Sequence, residues 1–369
     1  MTETLDKGTS RMTIDRRSLL AVPLALPALL GRAQAADPYK VAFVYVSPVG
    51  DAGWSFQHEL GRRAVDAALG GAVKTSFVEN VPEGADAERV IRRLAQDGNK
   101  LIFTTSFGYM NPTERVAKAF PRVKFEHATG YKRGPNLATY SGRFYEPRYL
   151  TGVIAGRLSK TGVIGYVAAF PIPEVIGGIN AMQLGARSVN PNATIKVVWT
   201  SSWFDPGKER AAADTLAAQG ADYLTQHTDS TAVVQAAEEK GVWCSGYDSD
   251  MLKYGPKTHT TAVEMHWDDY YIDRVRQAMA GSWTSGDVWG GMKQGMVKLS
   301  RFNPALPAPL VAEVTAKGED IKAGRLVVFN GPLKDQAGAV KVPAGRAMTD
   351  AEILGMNWFV EGVQGRAGT

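Results

Sequence analysis

The stretch GVIGYVAAFPIPEVIGGINAMQLGARSVN at residues 162–190 decides the fold class of this 369-residue chain. Residues 162–168 form a short apolar run that predicts a buried strand, and residues 173–189 follow with the length and apolar spacing of a helix. The same order of strand, loop and helix occurs earlier, at residues 40–46 and 56–69. Regular alternation of this kind predicts parallel sheets that are covered by helices on both faces.

The alternation forms two blocks, one on each side of residue 162. Further strands are predicted at 73–78, 100–105, 123–127 and 137–141 in the first block, and at 194–200, 221–226, 242–245 and 258–264 in the second. We therefore predict an α/β protein with two doubly wound parallel-sheet lobes. The predicted N-terminal lobe comprises residues 36–161 and 262–287, and the C-terminal lobe residues 162–261 and 288–369. Residues 288–299 and 325–329 are expected to add edge strands to the C-terminal lobe.

The first 35 residues predict an export signal. Arg16 and Arg17 precede an apolar run at 18–30, and the sequence AQA at 33–35 has the small residues of a processing site. The paired arginines favour the twin-arginine route, with an ordinary Sec signal as the alternative. We expect cleavage after residue 35 and a mature chain in the periplasm. No cysteine follows the apolar run, so no lipid anchor is predicted.

The composition is that of an ordinary globular protein, with 44% hydrophobic and 21% charged residues. The net charge of +5 falls to about +3 without residues 1–35, which carry five basic and three acidic residues. That charge is too small and too evenly spread to predict a nucleic-acid partner. The single cysteine, Cys244, is expected to be a buried strand residue. The fold therefore has no internal disulfide. Separately, we expect the protein to be a monomer.

Aromatic and acceptor side chains follow the strands of both predicted lobes. In open α/β sheets, ligands bind beyond the carboxyl ends of the strands, so these side chains are the candidates for a binding site. The candidates are Asp51, Trp54, Phe56, Phe107, Tyr109, Phe170, Trp203, Phe204 and Asp248. Aromatic faces with a few acceptors suit a planar, mostly uncharged ring with N–H donors, such as a nucleobase. The alternative for Asp51, Trp54 and Phe56 is a helix cap with two core aromatics.

The sequence lacks the common motifs of catalysis and metal binding. Its five histidines show no HExxH spacing, and neither a CxxC pair nor a GxSxG elbow is present. His227 and Asp229 could form an acid–base pair, but a polar loop lining a cleft is the preferred interpretation. We therefore predict a binding protein rather than an enzyme, with no metal and no cofactor.

Several segments, in their order along the chain, resemble the basic membrane protein family of ABC-transporter substrate-binding proteins, whose best-known members bind purine nucleosides. The segments are GRFYE at 142–146, YLTG at 149–152, GVIGYV at 162–167, GARSVNP at 185–191, WFDPGK at 203–208, GADY at 220–223 and GYDSD at 246–250. The likeness covers residues 40 to about 289. It implies a type I periplasmic-binding fold, in which two lobes joined by three hinge strands close on a ligand. It also implies an inner-membrane ABC permease as partner, and ligand contacts from the loop 51–56, Phe107, Trp203 or Phe204, and Asp248.

Three departures from the family pattern suggest a ligand smaller than a nucleoside. The usual ND-x-SFN pattern of the first loop is replaced by AGWSFQ at 52–57, and a glycine-rich loop is replaced by QHTDS at 226–230. The lysine that touches the ribose in nucleoside-binding members corresponds to Met265. We therefore expect a periplasmic receptor for a free purine base, with adenine favoured. A purine nucleoside receptor, a purine-processing hydrolase and a periplasmic sensor subunit are the alternatives.

Overall fold

Two β-sheets form the centre of the structure, a computed structural model that describes residues 37–368. The strands, in chain order, are β1 (Tyr39–Val44), β2 (Val73–Val78), β3 (Leu101–Thr104), β4 (Lys124–Ala128), β5 (Leu137–Gly142), β6 (Val163–Ala168), β7 (Thr194–Trp199), β8 (Tyr223–His227), β9 (Trp243–Asp248), β10 (His259–Met265), β11 (Asp287–Gly290), β12 (Val297–Leu299), β13 (Leu333–Lys334), β14 (Val340–Val342) and β15 (Val363–Gln364).

The first sheet has the strand order β11-β5-β4-β3-β1-β2 and is parallel throughout. The second sheet has the order β12-β10-β9-β8-β6-β7-β15, and β12 is its antiparallel edge strand. A short antiparallel hairpin is formed by β13 and β14. The prediction of two doubly wound parallel sheets is therefore confirmed.

Helices cover both faces of both sheets. In chain order they are α1 (Trp54–Leu69), α2 (Ala85–Gln96), α3 (Met110–Ala119), α4 (Tyr145–Leu158), α5 (Pro173–Arg187), α6 (Pro206–Ala218), α7 (Ala232–Lys240), α8 (Asp268–Ala280), α9 (Ala308–Lys322) and α10 (Asp350–Leu354). On the first sheet, α1 packs with α8 and α2 packs with α3; on the second, α4 packs with α5 and α6 packs with α7. Because central strands are covered on both faces, they are buried along almost their whole length, and the last four residues of β1 are apolar and fully buried.

The chain passes between the two sheets three times, from β5 to β6, from β10 to β11 and from β11 to β12. The resemblance implied the same number of connections. The structure differs from the predicted lobe boundaries at two places. β10 pairs with β9, so residues 262–265 belong to the second sheet and not to the N-terminal lobe. β11 pairs with β5, so residues 288–290 extend the first sheet and not the second.

The expected strand at 325–329 is wrong. The backbone N–H groups of Arg325 and Leu326 donate to the carbonyl oxygen of Asp320 at the end of α9, which leaves them unavailable for a sheet. Phe329 packs instead against Tyr145, with 5.2 Å between the ring centroids. β15, close to the C-terminus, forms the edge of the second sheet beside β7. Of the residues expected to add edge strands to that sheet, only those of β12 do so.

Cys244 is fully buried in β9, as predicted, and burial raises the pKa of its thiol to about 12. Across residues 37–368, no helix combines the length and the apolar character needed to cross a membrane. The predicted signal peptide at 1–35 lies outside the described residues.

Glycines allow α4 and α5 to pack with their backbones in close contact. A Cβ atom on Gly185 of α5 would lie 2.0 Å from the carbonyl oxygen of Tyr149, and one on Gly152 of α4 would lie 2.1 Å from that of Met182. These atoms belong to helix backbone, which cannot move aside like a flexible side chain. The segments at 149–152 and 185–191 thus have a packing role in the fold.

Replacing Gly185 by Ala should lower the free energy of unfolding by about 1–3 kcal/mol, because the added methyl group forces the two helices apart. Urea unfolding followed by circular dichroism measures this change. Gly177→Ala is the matched control, since it lies in the same helix and its Cβ would meet nothing within 4 Å. The control should be neutral, or stabilising by up to about 1 kcal/mol through helix propensity. Equal stability of the two variants would contradict the argument.

Candidate functional site

A small cavity lies where the carboxyl ends of the strands of both sheets meet. Its wall combines the loops after β1, β3 and β4 with the start of α5 and the residues at or after the ends of β7, β8 and β9. Its enclosed free volume is about 20 Å³, close to the space of a single water molecule, so a larger ligand must displace part of the wall. The position is the one expected for a ligand site in open α/β sheets.

Three aromatic side chains named in the sequence analysis line this cavity: Trp54, Phe107 and Trp203. Trp54 is only 8% exposed, and its indole N–H donates to the carbonyl oxygen of Thr105 at 2.6 Å. The indole N–H of Trp203 donates to Glu83 at 3.2 Å, and its ring lies 5.1 Å from that of Phe170. These contacts hold two indole rings in fixed positions and give the cavity flat apolar walls.

The loop before α1 meets the second half of the fold through Gly53. Its backbone N–H donates to the hydroxyl oxygen of Ser249 at 2.8 Å. A Cβ atom at Gly53 would lie 2.2 Å from the carbonyl oxygen of Asp229, and the residue has a φ of 93°, so only glycine fits. The hydroxyl group of Ser47 donates to Asp229 at 3.0 Å. These bonds join the strand-end loops of the two sheets in a closed arrangement.

Glu174 and His227 form a polar pair in the cavity wall. Glu174 is in the first turn of α5, and its carboxylate lies 3.5 Å from Nε2 of His227, at the end of β8. Burial raises the pKa of Glu174 to about 8 and holds the pKa of His227 well below its usual value, with the positive charge of Arg148 as a second cause for the histidine. About a fifth of the Glu174 side chain is accessible, on the side that faces the cavity.

Two buried aspartates lie at or behind the cavity wall. Asp229 lines the cavity, whereas Asp248, a predicted site residue, is fully buried at the end of β9 next to the lining residue Tyr247 and does not itself line it. Within residues 37–368, neither carboxyl oxygen of Asp248 has a hydrogen-bond partner. Burial, and then the neighbouring carboxylate of Asp229, raises the pKa of Asp248 well above its usual range; burial likewise raises that of Asp229. Buried carboxyl groups of this kind are strong candidates for contact with a ligand.

Arg148 is the buried cation near these acids. Its guanidinium lies 4.2 Å from the ring centre of Tyr247 and donates to the hydroxyl of Thr225 at 3.1 Å and to the carbonyl oxygen of Gln226 at 2.6 Å. The side chain is fully buried in α4. Arg148 therefore stabilises the ends of β8 and β9 through these contacts and does not line the cavity.

The other predicted site residues lie elsewhere. Asp51 pairs with Lys253 at 2.5 Å and with the hydroxyl of Tyr254, and it lines a separate surface cavity together with Phe204. Tyr109 is buried in the core between the first sheet and α2 and α3, and its hydroxyl donates to the carbonyl oxygen of Val81. Phe56 is half-buried on α1, outside the cavity wall. These four side chains do not line the cavity because they point in other directions than those of Trp54, Phe107 and Trp203.

The sequence pattern did not select Glu174 or Tyr247, and it predicted for His227 and Asp229 a polar loop lining a cleft, with an acid–base pair as the alternative. A signal for Glu174 was present, because Pro173 opens a helix directly after a strand and so places the next residue in the first turn. Tyr247 is the neighbour of Asp248 in the chain, and its ring lies 4.0 Å from that of His227.

A wider cavity of about 460 Å³ adjoins the first and shares Phe107, Thr129 and Glu174 with it. Its other walls include Ser141, Trp289 and Arg133, which pairs with Asp287 at 3.3 Å. A ligand in the small cavity therefore has room to extend past Glu174.

Comparisons with known proteins give a consistent result. The family described as Bmp, ABC transporter substrate-binding protein PnrA-like, matches residues 39–329. A purine-binding protein of Brucella abortus is 52% identical over 335 residues, which cover 90% of this chain and 95% of that protein. A putative ABC transporter glucose-binding protein of Haloferax volcanii is 41% identical over 330 residues, covering 89% and 81%.

A solved ABC-transporter solute-binding protein of Aeropyrum pernix has the same fold, with a TM-score of 0.68 and 21% identity over 81% of this chain and 93% of that one. The family and the Brucella relative are binding proteins, in agreement with the prediction of a binding protein. The family match spans the first sheet, all of the second sheet except β15, and every residue of the cavity wall. The chain therefore belongs to the Bmp family of PnrA-like ABC-transporter substrate-binding proteins.

Proposed function

We propose that this protein is a periplasmic receptor that binds a purine base, with adenine favoured, and delivers it to an inner-membrane ABC permease. The observation that carries the proposal is the small cavity walled by Trp54, Phe107 and Trp203 from both halves of the fold. Flat aromatic walls suit a planar ring, and the carboxyl groups beside them suit its N–H donors. The purine-binding Brucella relative supports the same ligand class.

In this proposal the ligand lies against the indole rings, with Phe170 supporting Trp203 and with Asp248 available as an acceptor for an N–H group. Asp51 and Phe204 stand at the rim, where Asp51 pairs with Lys253 across the two halves of the fold. Because the wall comes from both halves, a bound ligand favours the closed arrangement, which the permease then recognises.

A purine nucleoside is the second candidate. The adjoining cavity of about 460 Å³ offers space for a sugar next to the base, with the hydroxyl groups of Ser141 and Thr129 in its wall. Binding experiments with matched base and nucleoside separate the two ligands.

Isothermal titration of the purified protein with adenine, adenosine, guanine and glucose tests the proposal. We expect adenine to bind most tightly. Tighter binding of adenosine would support the nucleoside receptor. Glucose is included because of the name of the Haloferax relative. Binding of glucose without any purine would overturn the proposal.

Trp203→Ala should weaken adenine binding about ten- to hundredfold, since stacking of a base on an aromatic side chain contributes about 1–3 kcal/mol. Titration calorimetry measures the change. Asp51→Ala is the control at the rim: its carboxylate is 65% exposed, so its ion pair contributes little, and we expect a change of less than about fivefold. A larger loss in Asp51→Ala than in Trp203→Ala would contradict the assigned ligand position.

A further inference from the structure

Among the carboxyl groups of residues 37–368, only Glu174 borders both the small cavity and the wider one beside it. The start of α5 fixes its backbone, with Pro173 in the first turn. Within the described chain, its only oppositely chargeable neighbour within ion-pair distance is His227, at 3.5 Å. Glu174 is therefore placed to contact a molecule that enters either cavity, without a strong partner of its own in the described chain.

Both acidic and basic side chains lie near Glu174, but none of the groups described next forms an ion pair with its carboxylate. Tyr166 on β6 and Tyr247 on β9 face it, and within residues 37–368 neither hydroxyl has a hydrogen-bond partner. Asp248 on β9 adds a repelling carboxyl group. The guanidinium of Arg148 on α4 donates to Thr225 and Gln226. On the side of the wider cavity, Arg133 pairs with Asp287.

His227 does not supply a positive charge either. Its ring is buried, and desolvation holds the pKa of the imidazole well below its usual value, so the ring is neutral around pH 7. A carboxyl group in an apolar wall, beside a neutral imidazole and near another carboxyl group, retains its proton. Burial raises the pKa of Glu174 to about 8.

We propose, building on the purine receptor argued above, that Glu174 determines which edge of the ligand is bound by acting as a neutral acid. Its O–H donates to a ring nitrogen, and its carbonyl oxygen accepts from an adjacent exocyclic amine. Adenine presents this pair of groups, a ring nitrogen acceptor beside the 6-amine, on the edge that carries N7, whereas guanine presents two acceptors on that edge and offers a ring nitrogen beside an amine only at its N3 and 2-amine. Glu174 is thus the specificity-determining residue for a 6-aminopurine.

The test is titration calorimetry with adenine and with unsubstituted purine, which lacks the amine, between about pH 6 and pH 9. For the wild-type protein we expect constant adenine affinity near pH 6 that falls, at most about tenfold per pH unit, above about pH 8. Glu174→Gln keeps a donor and an acceptor at every pH, so it should bind adenine with a flat pH profile. Glu174→Met should bind adenine about ten- to hundredfold more weakly at pH 6 and lose the preference for adenine over purine.

Glu264→Gln is the matched control, because Glu264 and His266 form a second glutamate–histidine pair, at 3.3 Å, outside the cavity wall. This variant should keep the wild-type profile. If Glu174→Gln showed the wild-type pH dependence of adenine affinity, or if Glu174→Met bound adenine as tightly as the wild type, the role of Glu174 would be overturned. Neither result would contradict the proposed purine receptor. Absence of adenine binding by the wild-type protein at every pH would overturn both proposals.

Discussion

Replacing Arg148 by Met is expected to lower the free energy of unfolding by about 3–5 kcal/mol. The guanidinium is fully buried, lies over the ring of Tyr247 and donates to Thr225 and Gln226. Removing it leaves these acceptors without their donor and removes the positive charge that favours ionisation of Asp248. Urea unfolding at pH 7, followed by circular dichroism and tryptophan fluorescence, measures the loss.

Arg157→Met is the control for this prediction, because Arg157 lies in the same helix. Its side chain is 47% exposed and pairs with Glu313 at 3.0 Å. An exposed ion pair contributes at most about 1 kcal/mol, so the control should unfold nearly like the wild-type protein. If both arginine variants lost less than about 1 kcal/mol, the structural role of Arg148 would be refuted.

Replacing Asp248 by Asn should remove much of a pH dependence of stability from the ligand-free protein. The pKa of Asp248 is raised in the folded state, so the folded protein binds the proton more tightly than the unfolded chain does. The stabilisation is complete below the unfolded pKa of about 3.9 and is lost as the pH rises toward the raised folded value. Each such proton contributes at most about 1.4 kcal/mol per pH unit over the interval between the two pKa values.

Unfolding free energies at several pH values give the slope for each variant. The Asp248→Asn protein should gain on the wild type by up to about 1.4 kcal/mol per pH unit over this range. Asp229 titrates together with Asp248, so the measured slope belongs to the pair. Asp51→Asn is the control: hydrogen bonds from Lys253 and Tyr254 lower the pKa of Asp51, so this substitution should leave the slope unchanged. Parallel curves for wild type and Asp248→Asn would exclude the raised pKa.

A buried acid that lowers stability near neutral pH is informative about function. Within residues 37–368, Asp248 has no hydrogen-bond partner that would offset the free energy of its desolvation. Residues that weaken the fold in this way are concentrated at functional sites. The stability measurement therefore tests a property expected of a ligand-contacting group, and it requires no ligand.

Most elements of the two sheets could be predicted from local pattern. Buried strands such as β1 and β6 are continuous apolar runs, and the helices between them have amphipathic or small-residue spacing. After Gly281 the prediction was right for β12 and wrong for β11 and for residues 325–329, in a region where strands are only two to four residues long. The sheet that a strand as short as β11 joins depends on which edge is free, and its partner β5 is nearly 150 residues away in the chain.

The candidate site was predicted in part. Trp54, Phe107 and Trp203 follow strand ends, and the rule for open α/β sheets places such residues near a ligand site. The rule does not give side-chain direction, and so it included Tyr109, which faces the core. It also included Asp51, whose partner Lys253 is 202 residues away in the sequence.

Local periodicity and the direction of parallel strands are sufficient to predict two parallel α/β sheets and the loops that meet at the cavity. Which side chains share the cavity depends on long-range packing. It brought Glu174 to His227, left Asp248 buried without a partner in the described chain, and paired Asp51 with Lys253. The reason is physical: burial and long-range proximity determine the charge state of these groups, and neither is encoded in the residues next to them.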